Sequence, residues 1–315
     1  MATAGTSQQA KTWLPASNRL YLQRGLGILW LIAGLLQAQP LMFTTDFYAW
    51  YPSSIMESLL QNAVDGGPRW LVAIGHAGSA VWSTHPILFN VLVIVIQILL
   101  GLSLLVIKAR KSTRFILWIS IVWAIPVWVF GEGMGGFFTA SSYFEGLPGA
   151  AFMYAVSAII LLLPEYFWED GQAIRWMSVS TGMYWGVSAV YQVVPAFGYW
   201  GHYGLMELFG NSSSLPQPAI LSLPIQSAAL AISHHAVIWN AIFSAILILL
   251  AMASFRNRWT RLSIWLTLLW LAWSWWFGED FGGIFSGLGT DVNTIPVVGL
   301  WMVVLWRSRS AKLIK

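Results

Sequence analysis

The sequence predicts an all-α, polytopic membrane protein: eight transmembrane helices arranged as two tandem four-helix bundles. Three observations carry this expectation. The first is composition: 57% of the 315 residues are hydrophobic and only 9% are charged, where a soluble domain carries about 25% charge. The second is the spacing of Lys and Arg, which fall almost entirely into alternate loops. The third is an internal repeat. Residues 128–139 read WVFGEGMGGFFT and residues 275–286 read WWFGEDFGGIFS, identical at seven of twelve positions.

Apolar runs lie near 24–43, 85–107, 113–131, 147–164, 175–199, 235–255, 260–278 and 291–306. Each approaches the ~20 residues that cross ~30 Å of hydrocarbon, and backbone groups in lipid must pair internally, so each is expected as a helix. The first run follows a polar stretch (residues 1–23) with no sensibly placed small-residue cleavage site, so it reads as a retained span. Lys11, Arg19 and Arg24 precede or edge it. Lys108, Arg110, Lys111 and Arg114 separate runs two and three. Arg175 separates four and five, and Arg256, Arg258 and Arg261 separate six and seven. Arg307, Arg309, Lys312 and Lys315 end the chain. With eight spans all of these share one side and only Arg69 takes the other, so both termini are expected in the cytoplasm. Asp46, Glu57, Asp65, Glu132, Glu145, Glu207, Glu279, Asp280, Asp291 and all five His fall on the outer side, where polar chemistry is therefore expected.

The repeat extends beyond the twelve-residue element. Trp30, Gln37 and Pro40 match Trp185, Gln192 and Pro195, and His85 through Asn90 match His235 through Asn240. The units are a tail (1–23), a first repeat (24–170) and a second (171–315). Four spans per repeat, an even number, give both copies one orientation. The long outer segments 44–84 and 200–234 also correspond. Ser54-Ile55-Met56-Glu57 has capping-box spacing, and Asp65-Gly66-Gly67-Pro68 is a breaker, so short surface helices are expected in the first. The second, with Asn211 to Pro218, reads as looser loop.

The chain has no Cys, which excludes disulfides, thiolate catalysis, Cys-ligated iron–sulfur clusters and covalent haem attachment. The net charge of +4 is spread over short loops and makes no nucleic-acid footprint.

The run Arg24-Gly25-Leu26-Gly27-Ile28-Leu29-Trp30-Leu31-Ile32-Ala33-Gly34-Leu35-Leu36-Gln37 resembles the opening helix of DoxX-type membrane proteins. Ile98-Leu99-Leu100-Gly101-Leu102-Ser103-Leu104-Leu105, with basic residues after it, resembles their second helix. The resemblance implies four-helix units. The family includes the DoxD-like small subunit of thiosulfate:quinone oxidoreductase, so it also implies membrane redox work with a quinone.

Glu132 and Glu279 lead the candidate catalytic residues. Each stands 18 residues after a cytoplasmic-edge arginine, Arg114 or Arg261, or roughly 27 Å along a helix, near the outer boundary of the hydrocarbon. Two roles are open: handling a ligand, proton or ion, or hydrogen-bonding exposed backbone where the helix breaks at Gly131 and Gly278. His85 and His235 could join them as ligands of a transition metal, although no H-x-x-E or E-x-x-H pair accompanies them. Asn90, Asn240, Gln37 and Gln192 are candidate cofactor-binding amides, with interhelical hydrogen bonding the more economical reading. Trp128 and Trp275 belong to an aromatic crowd that would wall a flat ring such as a quinone or simply pack the bundle. Pro126 is expected to kink the third span. Three functions follow: a redox module with a quinone or metal and a partner subunit, a transporter or channel, and a membrane scaffold whose outer segments bind a partner protein.

Overall fold

The computed structural model describes residues 5–49, 54–213, 216–257 and 259–310. Arg258, Lys312 and Lys315 of the topology argument lie outside the described residues, as do Ser214 and Leu215 of the second outer segment. The protein is all-α. Its α-helices in chain order are α1 (Gly5–Gln37), α2 (Thr45–Tyr48), α3 (Ile55–Asn62), α4 (Arg69–Thr84), α5 (Pro86–Val106), α6 (Arg110–Pro126), α7 (Ala150–Leu162), α8 (Glu165–Glu169), α9 (Gln172–Val193), α10 (His202–Ser212), α11 (Ala219–His234), α12 (Ala236–Phe255), α13 (Arg261–Phe277) and α14 (Thr294–Ser310).

Among the described residues, four helical stretches are long and apolar enough to cross a membrane: Asn18–Gln37 of α1, α5, Arg110–Gly131 (α6 and its continuation), and α12. Each of the eight apolar runs nevertheless holds a helix, and the boundaries have local causes. The first run stops at Gln37, short of 43, because Pro40 holds Gln39 extended at φ −62°, ψ 142°. Pro195 ends α9 the same way, with Val194 at φ −66°, ψ 118°. Helix α7 has only 13 residues, about 20 Å. It is nonetheless buried along most of its length, so protein rather than lipid surrounds its ends.

The second outer segment is not a loop. It forms α10 and α11. Leu205, Leu208 and Phe209 of α10 and Ile225, Ala229 and Ile232 of α11 are buried, so apolar periodicity within 200–234 outweighed its Pro and Ser content. In the first outer segment Ser54 Oγ accepts from the Glu57 amide at 3.1 Å and caps α3, as its spacing predicted.

Packing repeats with the sequence. Helix α1 lies on α5 as α9 lies on α12. Helix α6 packs on α7 as α13 on α14, and α3 on α4 as α10 on α11. Close approach of α1 and α5 needs Gly101: a Cβ there would press on the Leu31 backbone, the small-residue contact that membrane helices favour. The halves meet through α1, α7, α9 and α14. At their centre Trp301 Nε1 donates to Ser157 Oγ at 2.8 Å.

Candidate functional site

Both glutamate elements adopt one unusual backbone. Helix α6 reaches Pro126 and continues as a single π-helical turn, Val127–Gly131, so Pro126 marks a change of winding. Helix α13, without that proline, runs regularly to Phe277. Four consecutive residues then turn left-handed in each copy: Gly133, Met134, Gly135 and Gly136 at φ 53°, 59°, 61° and 79°, and Asp280, Phe281, Gly282 and Gly283 at φ 48°, 53°, 70° and 63°. Left-handed conformation costs a non-Gly residue ~1–2 kcal/mol, which explains the Gly-Gly pair that both copies share.

This turn swings each glutamate back over the start of the next helix. Glu132 accepts the Ala151 amide at 3.0 Å. Glu279 accepts the Thr294 amide at 3.1 Å and the Ile295 amide at 3.1 Å. The carboxylates therefore satisfy orphan amides and face the positive ends of α7 and α14. The capped backbone belongs to the following helix, not to the helix that breaks at Gly131 or Gly278. Gly149 makes room: a Cβ there would collide with the Glu132 carboxylate. Trp128 and Trp275 brace the same corner, their indoles donating to the Pro148 carbonyl at 2.8 Å and the Val292 carbonyl at 2.9 Å. Glu279 is buried and Glu132 half-buried. Burial raises both carboxyls well above the ordinary carboxylate range, the Asp291 charge adds to this, and the capped amides draw it partly back.

The four amides pair between helices. Gln37 Nε2 donates to Asn90 Oδ1 at 2.5 Å, and Gln192 Nε2 to Asn240 Oδ1 at 2.6 Å. Each Asn returns a bond to the Gln backbone carbonyl, at 3.4 Å and 3.1 Å. In the second half the chain lengthens: Ser142 Oγ donates to Gln192 Oε1 at 2.8 Å.

Ser142 comes from the first half, and this exchange is reciprocal. The loop after Gly136 crosses to the second half, where Tyr191 donates to the Phe137 carbonyl at 2.6 Å and Tyr199 to the Ala140 carbonyl at 2.7 Å. Tyr199 also donates to Glu145 at 3.1 Å, whose carboxyl is raised by burial and drawn back by the Ser142 amide and Tyr199. The matching loop after Gly283 crosses the other way: Gln39 donates to the Gly289 carbonyl at 3.0 Å, and Leu288 packs on Met42, Phe47 and Met56.

The first loop carries Tyr143 and Phe144 into an aromatic chamber of the second half. The Tyr143 ring is 6.1 Å from Trp270 and nearly parallel to it, 5.5 Å from Trp185 and 6.0 Å from Tyr184. Phe144 packs on Phe209, Phe243, Trp270 and Trp273. Five polar atoms are buried here without a hydrogen-bond partner: the hydroxyls of Tyr143, Tyr184 and Ser274 and the indole nitrogens of Trp185 and Trp270. Ser274 and Trp270 lie near the Tyr143 hydroxyl, but without hydrogen-bond geometry. The Glu279 charge reaches both Tyr143 and Tyr184. The first half differs at matching places. Trp30, the counterpart of Trp185, donates to Ser120 Oγ at 2.8 Å. Leu29 and Val127 stand where Tyr184 and Ser274 stand; Trp123, matching Trp270, shares its unpartnered nitrogen.

His85 and His235 are the exposed junction residues of α4–α5 and α11–α12, with similar backbone at φ −146° and −125°. Among the described residues no group of three or more His, Asp or Glu side chains is placed to hold a metal ion. Asp280 is buried with both carboxylate oxygens unpartnered, and burial pushes its carboxyl up to about 6. Tyr143, Tyr184, Ser274 and Ser142 escaped the sequence reading. Their signal lay in the mismatches between repeats: polar residues opposite Leu29 and Val127, and a first loop three residues longer between the glutamate and the capped amides.

No family model, characterised protein or solved structure matches the chain.

Proposed function

We propose that the chain is an eight-span protein of the cytoplasmic membrane, both termini cytoplasmic, and that its second repeat binds the ring of a quinone-class molecule as a redox module working with a partner subunit. The span count draws on eight helices coinciding with eight apolar runs, and on Lys and Arg collecting in alternate loops. The repeats are residues 24–170 and 171–315, each a four-helix bundle with an outer helical layer.

One observation carries the ligand: unpartnered hydroxyl and indole groups buried together within aromatic walls, in one repeat and not equivalently in the other. Buried donors without acceptors call for an occupant that brings acceptors. A quinone offers a flat apolar ring and two carbonyl oxygens, and apolar pockets with a few placed polar groups are what such ligands use. When bound it would supply two-electron, two-proton chemistry. Tyr143, Tyr184 and Trp185 would donate to its oxygens, Trp270 and Trp273 would wall the ring, and Glu279 would hold the proton at its carboxylate. Gln192 and Asn240 would anchor Ser142, and so the loop that carries Tyr143. Glu132, in this reading, keeps the equivalent turn folded in the first repeat. The DoxX-type resemblance supports the same assignment, and because the chain has no Cys the electrons would come from a partner subunit rather than from a thiol of this chain. Metal ligation by His85 and His235 draws no support from their exposed junctions.

Solvent extraction of the purified protein, followed by chromatography, tests this. Quinone near one equivalent per chain is expected in the wild type, and a loss of most of it in Tyr143→Phe plus Tyr184→Phe. A wild-type protein that neither retains quinone nor rebinds it saturably would overturn the proposal.

A further inference from the structure

At the opposite end of the first half, α1, the α5–α6 turn and α8 enclose a crevice of about 470 Å³. Arg19, Lys108 and Arg110 line it, with Glu165, Glu169 and Trp168. Glu165 is already committed: Arg110 holds it at 2.5 Å. Arg19 is poorly matched. Its hydrogen bond to the Leu161 carbonyl is 3.5 Å long, its Nε is buried without a partner, and burial and the charges of Arg110 and Arg114 oppose its own charge, against the attraction of Glu165. Trp168, only 3% exposed, likewise buries an indole N–H with no partner. Two orphan donors and a surplus of positive charge thus converge on one crevice.

The second half shows that this is not forced by the scaffold. Arg110 and Asn257 each stand 22 residues before the motif glutamate, and Glu165 and Arg309 each stand 14 after the capped amides of Ala151 and Ile295. The positions of the ion pair therefore carry a cation and a neutral amide in the second half, where Arg309 donates to Asn257 and, at 3.0 Å, to the Trp259 carbonyl. Arg19 has no counterpart, since Ile174 takes its place.

We infer that the crevice of the first half binds the phosphate of an anionic phospholipid headgroup. The site chemistry is that of a phosphate oxyanion: Arg19 Nε and Trp168 Nε1 donate to its oxygens, and Lys108 adds charge at the exposed lip. Three cations against two carboxylates leave one positive charge, matched to a phosphodiester of single charge such as phosphatidylglycerol. Leu20, exposed beside the crevice, and Ile107 give the start of the acyl chains an apolar seat. Under the proposed topology the site opens to the cytoplasmic leaflet, where basic pockets between helices meet anionic lipid; the inference rests on that orientation for the leaflet alone.

The full chain in detergent, titrated with short-chain phosphatidylglycerol, short-chain phosphatidylcholine or inorganic phosphate and read by native mass spectrometry, tests it. Phosphatidylglycerol should bind at least about ten-fold tighter than phosphatidylcholine. Lys108→Gln, an exposed change that leaves packing intact, should weaken it about five-fold, and Trp168→Phe about three-fold. Equal binding of the two lipids, or no effect of either variant, would overturn the inference. Displacement of the lipid by millimolar inorganic phosphate would also overturn it, in favour of a soluble-anion site. Labelling of Lys108 by a membrane-impermeant amine reagent separates the two claims: labelling from the outside would reject the topology while the binding titration still judged the crevice.

Discussion

In the first half of the chain the buried indole of Trp30 donates to Ser120; in the second, the matching indole of Trp185 has no partner. The contrast runs through the neighbouring positions. Leu29 and Val127 place hydrocarbon where Tyr184 and Ser274 bring hydroxyls into the second interior, to which Tyr143 comes from the other half. The first interior keeps two unpartnered groups, the Tyr154 hydroxyl beside Trp30 and the Trp123 indole. Common devices hold both halves: the Gln–Asn pair, the left-handed turn and the carboxylate that caps the next helix. A duplicated scaffold thus gathers five unpartnered polar atoms around Tyr143 in the second interior, where the matching positions of the first hold Leu29, Val127 and a hydrogen-bonded Trp30. Buried groups left unmatched weaken a fold unless something else pairs them, so the second half is where a ligand has most to contribute.

The contrast can be broken by substitution, and the largest effect is expected at the caps. Glu279→Ala should destabilise by about 3 kcal/mol and Glu132→Ala by about 1–2 kcal/mol, because Glu279 is buried and accepts two amides where Glu132, half-buried, accepts that of Ala151. Chemical unfolding in detergent would show it, and equal losses would mean that the caps are interchangeable. Next come the amides. Gln192→Leu should cost about 2 kcal/mol and Gln37→Leu about 1 kcal/mol, since Gln192 also anchors Ser142. Smaller still, Trp30→Phe should lose about 1 kcal/mol by stranding Ser120, whereas Trp185→Phe should leave stability unchanged within ~0.5 kcal/mol. If Trp185→Phe proved the more damaging, its nitrogen would have a partner in the folded protein.

Asp280 sharpens the contrast further, for Gly133 holds its place in the first copy. Its carboxyl rises from 3.8 to about 6, so the folded state resists ionisation. Stability is then fully present below about pH 4 and is lost as pH rises through 6. Asp280→Asn removes that loss and also suits a left-handed residue. Its melting temperature should exceed the wild type's at pH 8, by the equivalent of about 1 kcal/mol, and match it at pH 4.

Much of the scaffold was legible in the sequence. The eight apolar runs each hold a helix, four of them long and apolar enough to cross a membrane, and the amides paired as helix-facing polar groups do. The repeat showed that Glu132 and Glu279 share a role, though not that each reaches forward to the next helix, because the left-handed turn that redirects them is a backbone property. Helices α10 and α11 were obscured by Ser and Pro between them. The chamber was illegible for a different reason. Tyr143 belongs to one repeat by sequence and to the other by position, and reading each repeat as a closed bundle hides any loop exchanged between them.

The most direct test of the central claim is titration of the purified protein with a short-chain quinone, followed by quenching of tryptophan fluorescence, in the wild type and in two matched variants. Trp185→Phe with Tyr184→Leu removes two unpartnered donors from the second interior, and Trp30→Phe alters only the first. Saturable quenching that weakens at least about ten-fold in the former and stays unchanged in the latter is expected. Quenching that is unsaturable, or that falls equally in both variants, would contradict an account in which the second interior, and not the first, binds the quinone ring.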